Sequence, residues 1–289
     1  MSTVVNVDGR ISPGEQARVS ALDHGFLFGE GVYEVLRTYD RRPFLFPEHM
    51  ARLRASADRI ALSCPLDDAA MLARIRETVA AADLSGEAYV RIVLTRGVGD
   101  LIYDPAACPH PTLVVIVKPH VDPPPGALRD GVRLALVSVV RNHPGSVDPA
   151  IKSNNLLNNA LAMQEALRRG GFEALMANHR RELCECAQSN VFLVRGGALW
   201  TPPADAGLLV GITRAFVLEL AAHLAITAHE ETLYEADLDT ADEAFITSTT
   251  REIVPVVAVD DRRVGLGVPG PVTQRLMHAF RERVGTRLS

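Results

Sequence analysis

The segment ECAQSNVFLVRGGALWTPPADAGLLVGITR, residues 185–214, carries the strongest structural signals of this chain. Its apolar run Val191–Val194 predicts a buried strand. Near its end, Gly211 followed by Ile212 and Thr213 predicts the start of a helix. The backbone N–H groups in the first turn of a helix have no partner within the helix and attract anions such as phosphate. The segment therefore predicts a strand, a helix start and a candidate anion site.

Glu185 opens the same segment and lies between Cys184 and Cys186, in surroundings that are otherwise small and apolar. A carboxylate is costly to bury there unless a cation pairs with it, and a protonated pyridine nitrogen is one such cation. The two cysteines would alternate across a strand, and the four cysteines of the chain form neither a disulfide framework nor a paired zinc motif. We therefore expect no metal site.

Only two of the thirty basic residues are lysines, Lys118 and Lys152. Arginine stays protonated at ordinary pH, whereas a lysine of lowered pKa can attack a carbonyl or accept a proton. Lys152 lies in the sequence DPAIKSNN, just before a helix predicted from Asn154, and the N-terminus of that helix would lower its pKa. Lys118 precedes a proline, and we expect it to be a solvated surface group.

Composition bounds the class of protein. The chain has 289 residues, 47% of them hydrophobic and 22% charged, with a formal net charge of −5. These are ordinary globular values, and they give no indication of a nucleic-acid or membrane partner. The N-terminal residues show neither a basic start nor an apolar core typical of a signal peptide. We therefore expect a cytoplasmic protein.

Strands and helices are predicted in both halves of the chain. The predicted strands are 4–7, 32–39, 88–95, 112–117, 132–140, 174–177, 191–194, 244–247 and 254–259. The predicted helices begin at Pro47, Asp68, Asn154, Ile212 and Pro271. This mixture predicts an α/β or α+β fold.

The segment PHVDPPPGALRD, near the middle of the chain, contains three consecutive prolines. Such a run favours an extended connection and argues against a helix. We therefore predict an N-terminal α/β domain over 1–118, a linker over 119–130 and a larger C-terminal domain over 131–289.

Two further features suit a phosphate. Thr247-Ser-Thr-Thr250 places four hydroxyl residues in a row at the end of a predicted strand. Arg52, on the helix that begins at Pro47, is a candidate to neutralise the same anion. An amine, a carboxylate for a pyridinium ring and phosphate-binding turns are together the groups that a pyridoxal-phosphate enzyme provides.

The order of these motifs resembles the class IV, or fold type IV, pyridoxal-phosphate aminotransferases over nearly the whole chain. Three blocks of the long C-terminal segment are similar to the family signature: Glu185-x-Ala-x-x-Asn-Val-Phe192, Leu199-x-Thr201 and Leu209-x-Gly-Ile-x-Arg214. Two earlier blocks, FGEGVYE at 28–34 and EHMARL at 48–53, are similar to the N-terminal domain of the family. The resemblance implies a two-domain fold with pyridoxal 5'-phosphate between the domains.

The resemblance also implies roles for individual residues. Lys152 would form the Schiff base with the cofactor, and Glu185 would pair with the pyridine nitrogen. Arg52 would bind the phosphate, together with Gly211, Ile212, Thr213, Thr249 and Thr250. We expect the substrate carboxylate to be contacted by Tyr33, Arg37 or Arg96.

The substrate is less sharply indicated, because the marks conflict. Thr95-Arg-Gly-Val-Gly-Asp100 and Gly211-Ile-Thr-Arg214 resemble enzymes that act on L-branched-chain amino acids, with 2-oxoglutarate as acceptor. Tyr33-Glu-Val-x-Arg37 resembles the D-amino-acid enzymes instead. We therefore expect a branched-chain-type transaminase, with a D-amino-acid transaminase and aminodeoxychorismate lyase as alternatives. Family members are usually homodimers, and we expect one here.

Overall fold

The computed structural model describes residues 3–289, and the chain divides into two compact units. Unit 1 holds the described residues up to Val121 together with Ile151–Asn155 and Val284–Ser289. Unit 2 holds Asp122–Ala150 and Leu156–Arg283. The chain thus first passes from unit 1 to unit 2 inside the predicted linker. Two later segments, both assigned from sequence to the domain 131–289, pack within unit 1.

Unit 1 contains an antiparallel sheet in the order β2-β1-β6-β5-β3-β4. Its strands are β1 (Val4–Val7), β2 (Arg10–Pro13), β3 (Gly31–Tyr39), β4 (Arg42–Pro43), β5 (Ala88–Thr95) and β6 (Thr112–Pro119). Its helices are α1 (His24–Leu27), α2 (Phe46–Asp58) and α3 (Asp68–Ala81), with 3₁₀ turns at Gly14–Gln16, Pro105–Ala107 and Val284–Arg287.

The core of unit 1 lies between one face of this sheet and the helices α2 and α3. Alternate residues of β3, Val32 and Leu36, point into it and meet Leu53 of α2 and Met71 of α3. The period of two along a strand sends the intervening residues to the opposite face. Tyr33 is therefore on the other face, away from this core.

Unit 2 contains a larger mixed sheet in the order β12-β11-β10-β14-β15-β7-β8-β9-β13, with β16 paired to β15. Its strands are β7 (Val132–Leu136), β8 (Glu173–Ala177), β9 (Glu182–Cys186), β10 (Asn190–Arg195), β11 (Ala198–Thr201), β12 (Ala228–Glu230), β13 (Leu233–Tyr234), β14 (Glu243–Ser248), β15 (Glu252–Val259) and β16 (Arg262–Arg263). Its helices are α4 (Pro125–Arg129), α5 (Leu157–Arg168), α6 (Ile212–His223) and α7 (Pro271–Arg283), with 3₁₀ segments at Ala204–Ala206 and Glu235–Thr240.

Buried faces of this sheet build the core of unit 2. The stacked rings of Phe192 and Phe245, with centroids 4.9 Å apart, join β10 to β14. Helix α5 packs on β8, where Ala162 and Ala166 are fully buried. A mixed α/β fold is thus confirmed.

Most predicted elements are confirmed, but two helix predictions are wrong. Residues Pro125–Arg129 form α4 inside the segment predicted to be an extended linker. Proline is compatible with a first helical turn because the N–H group that it lacks has no helical acceptor there. The helix predicted from Asn154 begins only at Leu157, because residues 152–154 pair with β3 instead. Strand β9 has no counterpart among the predicted strands. No helix within residues 3–289 is both long and apolar enough to cross a membrane.

Candidate active site

Lys152 is held by backbone hydrogen bonds to the start of β3. The Tyr33 N–H group donates to the Lys152 carbonyl at 2.9 Å, and the Asn154 N–H group donates to the Gly31 carbonyl at 2.9 Å. The Lys152 N–H group donates to Ser56 Oγ on α2 at 3.2 Å. Gly31 permits this close approach, since a Cβ there would lie 2.5 Å from the Asn154 side-chain nitrogen.

The amine of Lys152 lies beside an aromatic ring. Its Nζ atom is 4.7 Å from the centroid of the Tyr33 ring. The guanidinium carbon of Arg91 on β5 lies 4.0 Å from the same centroid. Burial raises the pKa of Tyr33 more than the Arg91 charge lowers it, so the phenol stays protonated at neutral pH. Tyr33 thus offers a hydroxyl donor next to two cations.

On the opposite face of β3, Glu34 forms a fully buried charge cluster with α2. Arg52 donates to its two carboxylate oxygens from Nε at 2.7 Å and from Nη2 at 2.9 Å. Burial on its own raises the pKa of Glu34, but the charges of Arg52 and His49 outweigh it and hold that pKa well below its usual range. This two-point contact fixes the orientation of the Arg52 guanidinium.

His49 completes the cluster with a defined tautomer. Its Nδ1 atom lies 2.7 Å from Glu34 Oε2, and an ionised carboxylate can only accept, so Nδ1 carries the proton. Burial lowers the pKa of His49, and the nearby Arg52 and Lys152 charges add to this, so the ring is neutral at neutral pH. Its buried Nε2 atom has no hydrogen-bond partner among residues 3–289.

In unit 2, Glu185 occupies the middle of β9 and is 5% exposed. Arg141 donates from Nε to its Oε1 oxygen at 2.8 Å, while the Leu209 N–H group and the Asn190 amide donate to Oε2. The cation that a buried carboxylate requires is therefore supplied within the chain by Arg141. Asn158 of α5 accepts from Arg141 in turn, at 3.1 Å.

The cysteines that flank Glu185 are chemically quiet. Burial raises the pKa of Cys184 to about 12 and raises that of Cys186 well above its ordinary value. Both therefore remain neutral thiols at physiological pH. They pack around the carboxylate as small apolar groups.

Asn190 connects Glu185 to the start of α6. Its side chain also donates to the Leu209 carbonyl at 2.9 Å. A Cβ at Gly211, the N-cap residue, would lie 2.0 Å from Asn190 Oδ1, so only glycine fits there. No side chain caps α6 in the described chain, and its first N–H groups, at Ile212 and Thr213, point out of the helix. This is a cradle for an anion.

The hydroxyl-rich hairpin between β14 and β15 lies next to this helix start. Thr247 pairs with Asn190 across the two strands, and opposite residues of an antiparallel pair lie on the same face. The Oγ1 atom of Thr247 is buried and has no partner within the described residues. Thr249 and Thr250, at the hairpin tip, are half-buried.

Two of the predicted substrate contacts lie elsewhere. Arg37 is four residues beyond Tyr33 on β3, about 13 Å along the strand, and its guanidinium carbon lies 4.2 Å from the centroid of the Tyr39 ring. Arg96 donates to the carbonyl groups of Ile60 and Ala61 and to the Glu30 carboxylate through its three nitrogens. These contacts tie Arg96 to the end of α2.

The structure adds residues that sequence reasoning missed. Glu34 and His49 could have been suspected, because His49 and Arg52 are three residues apart and share one helix face. Arg91 and Arg141 carry no local signal, being two among many arginines. Only the pairing of strands and the packing of loops shows what they contact.

Comparison with known proteins places this arrangement. Residues 31–259 match the family model described as amino-transferase class IV. The chain belongs to this family. It is 40% identical over 278 residues to a putative branched-chain-amino-acid aminotransferase of Methanocaldococcus jannaschii, covering 96% of this chain and 95% of that one. It is 33% identical over 290 residues to D-alanine aminotransferase of Staphylococcus haemolyticus, covering 99% and 100%.

Among solved structures, a branched-chain amino acid aminotransferase from T.th. in complex with N-(5'-phosphopyridoxyl)-L-glutamate is similar, with a TM-score of 0.90 and 29% identity over 99% of this chain and 95% of that one. The protein is thus an aminotransferase of fold type IV, and pyridoxal 5'-phosphate is the cofactor of its class. The expected family, enzyme type and cofactor are confirmed.

The buried cluster of Glu34 predicts an acid-sensitive fold. Both Glu34 and His49 have a pKa lowered by folding, so the unfolded chain binds more protons and stability falls as pH falls. The loss begins near the ordinary pKa of 6.5 for His49 and continues below that of 4.5 for Glu34. Glu34→Gln removes the second phase and costs about 3–5 kcal/mol at neutral pH, because Arg52 loses its partner.

Urea unfolding from pH 4 to pH 8 measures this dependence. The matched control is Glu48→Gln, an exposed carboxylate on the same helix, which leaves the curve unchanged. An E34Q variant with the acid dependence of the unaltered protein would show that the cluster does not store this energy.

Proposed function

We propose that this aminotransferase moves the amino group of an L-branched-chain amino acid to 2-oxoglutarate, with Lys152 as the residue bonded to the cofactor. The observation that carries the proposal is the fixed position of Lys152. Its backbone is tied to β3, which leaves the amine beside the Tyr33 phenol. When bound, pyridoxal phosphate supplies an aldehyde for the amine and a ring that withdraws electrons from the substrate.

Lys152 has two tasks in this proposal. Its Nζ atom forms the covalent bond to the cofactor, and a substrate amine displaces it. The freed Nζ atom then takes the α-proton of the substrate as general base and returns it on the cofactor side. The neutral His49 ring and the buried Glu34–Arg52 pair lie on the other face of β3 and keep the local charge constant during these steps.

We assign the ring nitrogen to Glu185 and the phosphate to three groups. Arg141 and two further donors hold the Glu185 carboxylate rigid, as a partner for a pyridinium N–H group requires. The uncapped start of α6 with its obligatory Gly211, and the Thr249–Thr250 hairpin, suit a phosphate. Arg52, oriented by Glu34, adds the positive charge.

For the substrate carboxylate we propose Tyr33 together with Arg91. Arg91 is half-buried, and no carboxylate of residues 3–289 lies within ion-pair distance of it. A guanidinium in this state, near the reactive amine, is suited to a carboxylate ligand. Arg37 and Arg96 are committed to other contacts, so we give them no substrate contact.

The substrate class rests on the relatives. The Methanocaldococcus jannaschii protein described as a putative branched-chain-amino-acid aminotransferase is more similar to this chain than the D-alanine aminotransferase reported above. The latter, which also spans the whole chain, makes D-amino acids the second candidate. We further propose that the enzyme acts in the cytoplasm.

The assignment of Lys152 has an internal control, because Lys118 is the only other lysine. Borohydride reduction of the protein as purified should attach a phosphopyridoxyl group to the peptide that carries Lys152. Lys152→Arg should abolish both this adduct and turnover while cofactor binding stays possible, since a guanidinium forms no such bond. Lys118→Arg, at an exposed site on β6, should change neither. An adduct at any other position overturns the assignment.

The chirality of the substrate is decided by one assay. With 2-oxoglutarate as acceptor, we expect turnover of L-leucine and little or none of D-alanine. Glutamate formation from each donor is measured under identical conditions. Faster turnover of D-alanine would establish the second candidate, and pyruvate release from aminodeoxychorismate would point to the lyase.

We also propose that the protein is a homodimer that uses an apolar patch of unit 1. The patch consists of Leu22, Phe26, Val98, Leu101, Ile102 and Tyr103, all 44–80% exposed. Its two loops are held together by the Asp23–Val98 bridge and by the Phe28 and Tyr103 rings, 5.1 Å apart. Contiguous exposed apolar groups of this kind mark interaction surfaces.

Charges on this patch should prevent dimerisation. The double change Leu101→Asp and Tyr103→Asp is expected to give a monomer in light scattering, because each carboxylate would lose water in the interface. Leu266→Asp, at a residue 83% exposed in unit 2, is the matched control and should stay dimeric. Dimerisation of the double variant at unchanged affinity would exclude this patch as the interface.

A further inference from the structure

The side chain of Arg251 bridges two turns of unit 2. It follows the tip residues Thr249 and Thr250 in the hairpin between β14 and β15. Its Nε atom donates back to Ser248 Oγ at 3.2 Å, on the other side of the same tip. Its Nη2 atom donates to Ser189 Oγ at 2.8 Å, in the turn between β9 and β10. The guanidinium therefore ties the hairpin to its neighbour.

The anchor of this bridge is Glu173 on β8, whose side chain is fully buried. Its Oε2 oxygen lies 2.8 Å from Arg251 Nη2 and accepts from Ser189 Oγ at 2.8 Å, while Oε1 accepts from the Gln188 N–H group. A buried carboxylate is tolerated when a cation and hydrogen-bond donors surround it, and removing one member exposes the others to a large penalty. Glu173 thus holds Arg251 in one place.

The hairpin needs such support. Glu252, directly after Arg251, has a φ angle of +58°, a left-handed conformation that costs a residue with a side chain about 1 kcal/mol or more. An ion pair between Glu252 and Arg281 of α7 holds that side of the turn. Arg251 holds the opposite side. The conformation of Thr249 and Thr250 is therefore determined by side chains outside the tip.

We infer that Arg251, anchored on Glu173, is a positioning residue that presents the Thr249–Thr250 turn to the cofactor phosphate. The inference rests on the proposed phosphate site. Arg251 acts through the hairpin, as its guanidinium is used on Glu173, Ser189 and Ser248. Loss of the bridge should weaken binding of the phosphate and leave contacts to the pyridine ring unchanged.

The test compares two forms of the cofactor on the cofactor-depleted full chain. Arg251→Met should weaken pyridoxal 5'-phosphate binding about tenfold, the size expected when hydrogen bonds to charged groups are lost. Binding of pyridoxal, which has no phosphate, should change less than twofold. Arg251→Lys keeps the ion pair with Glu173 and should restore part of the affinity. Ser248→Ala, a minimal change, should show a smaller loss in the same direction.

Arg263→Gln is the matched control, because Arg263 is exposed on the neighbouring strand β16, and it should bind both forms as the unaltered protein does. Thermal unfolding of each cofactor-depleted variant reports whether it is folded. Equal loss of both cofactor forms, or no loss of either, overturns the positioning role of Arg251. A different result, equal affinity of the unaltered protein for the two forms, would refute the proposed phosphate site itself.

Discussion

The backbone pairing between residues 152–154 and the first residues of β3 is the constraint on which the site in unit 1 depends. The segment lies more than a hundred residues after β3 in the chain, yet three hydrogen bonds tie it to β3 and α2. The position of the Lys152 amine is thereby set by main-chain geometry. A flexible side chain of four methylene groups needs such a base if its amine is to reach one atom reproducibly.

Two carboxylates in this protein share one electrostatic solution. Glu34 in unit 1 and Glu185 in unit 2 are both buried, and each is neutralised by an arginine, Arg52 and Arg141 respectively. In each case further donors, His49 or Asn190, satisfy the remaining acceptor positions. Such a group cannot rotate without leaving a charge unpaired, so each cluster fixes its members in direction. We regard this preorganisation as the main contribution of the fold to cofactor binding.

The glycines and the strained turn show the same logic at the backbone. Gly31 lets the Lys152 segment approach β3, and Gly211 lets Asn190 approach the start of α6. In both places a methyl group would occupy the space that a neighbouring side chain needs. The left-handed residue Glu252 adds a conformational cost that ion pairs on either side of the hairpin offset.

The sequence by itself determined the elements with strong periodicity, such as α3, β5 and α7, and the residue types that the chemistry needs. Local pattern was sufficient there because hydrophobic spacing and helix caps act over a few residues. It also singled out Lys152 and Glu185, by scarcity and by context. Pattern was misleading at Pro125, where a proline starts a helix, and at residues 154–156, where pairing with a distant strand delays the next one.

Only the tertiary structure decided what surrounds those residues. Arg91 beside Tyr33, Arg141 on Glu185 and Arg251 on Glu173 are contacts between residues tens of positions apart. An arginine-rich sequence offers no local mark that separates these three from arginines on the surface. The difference arises from burial, which makes an unpaired charge costly and so selects the partner of each one.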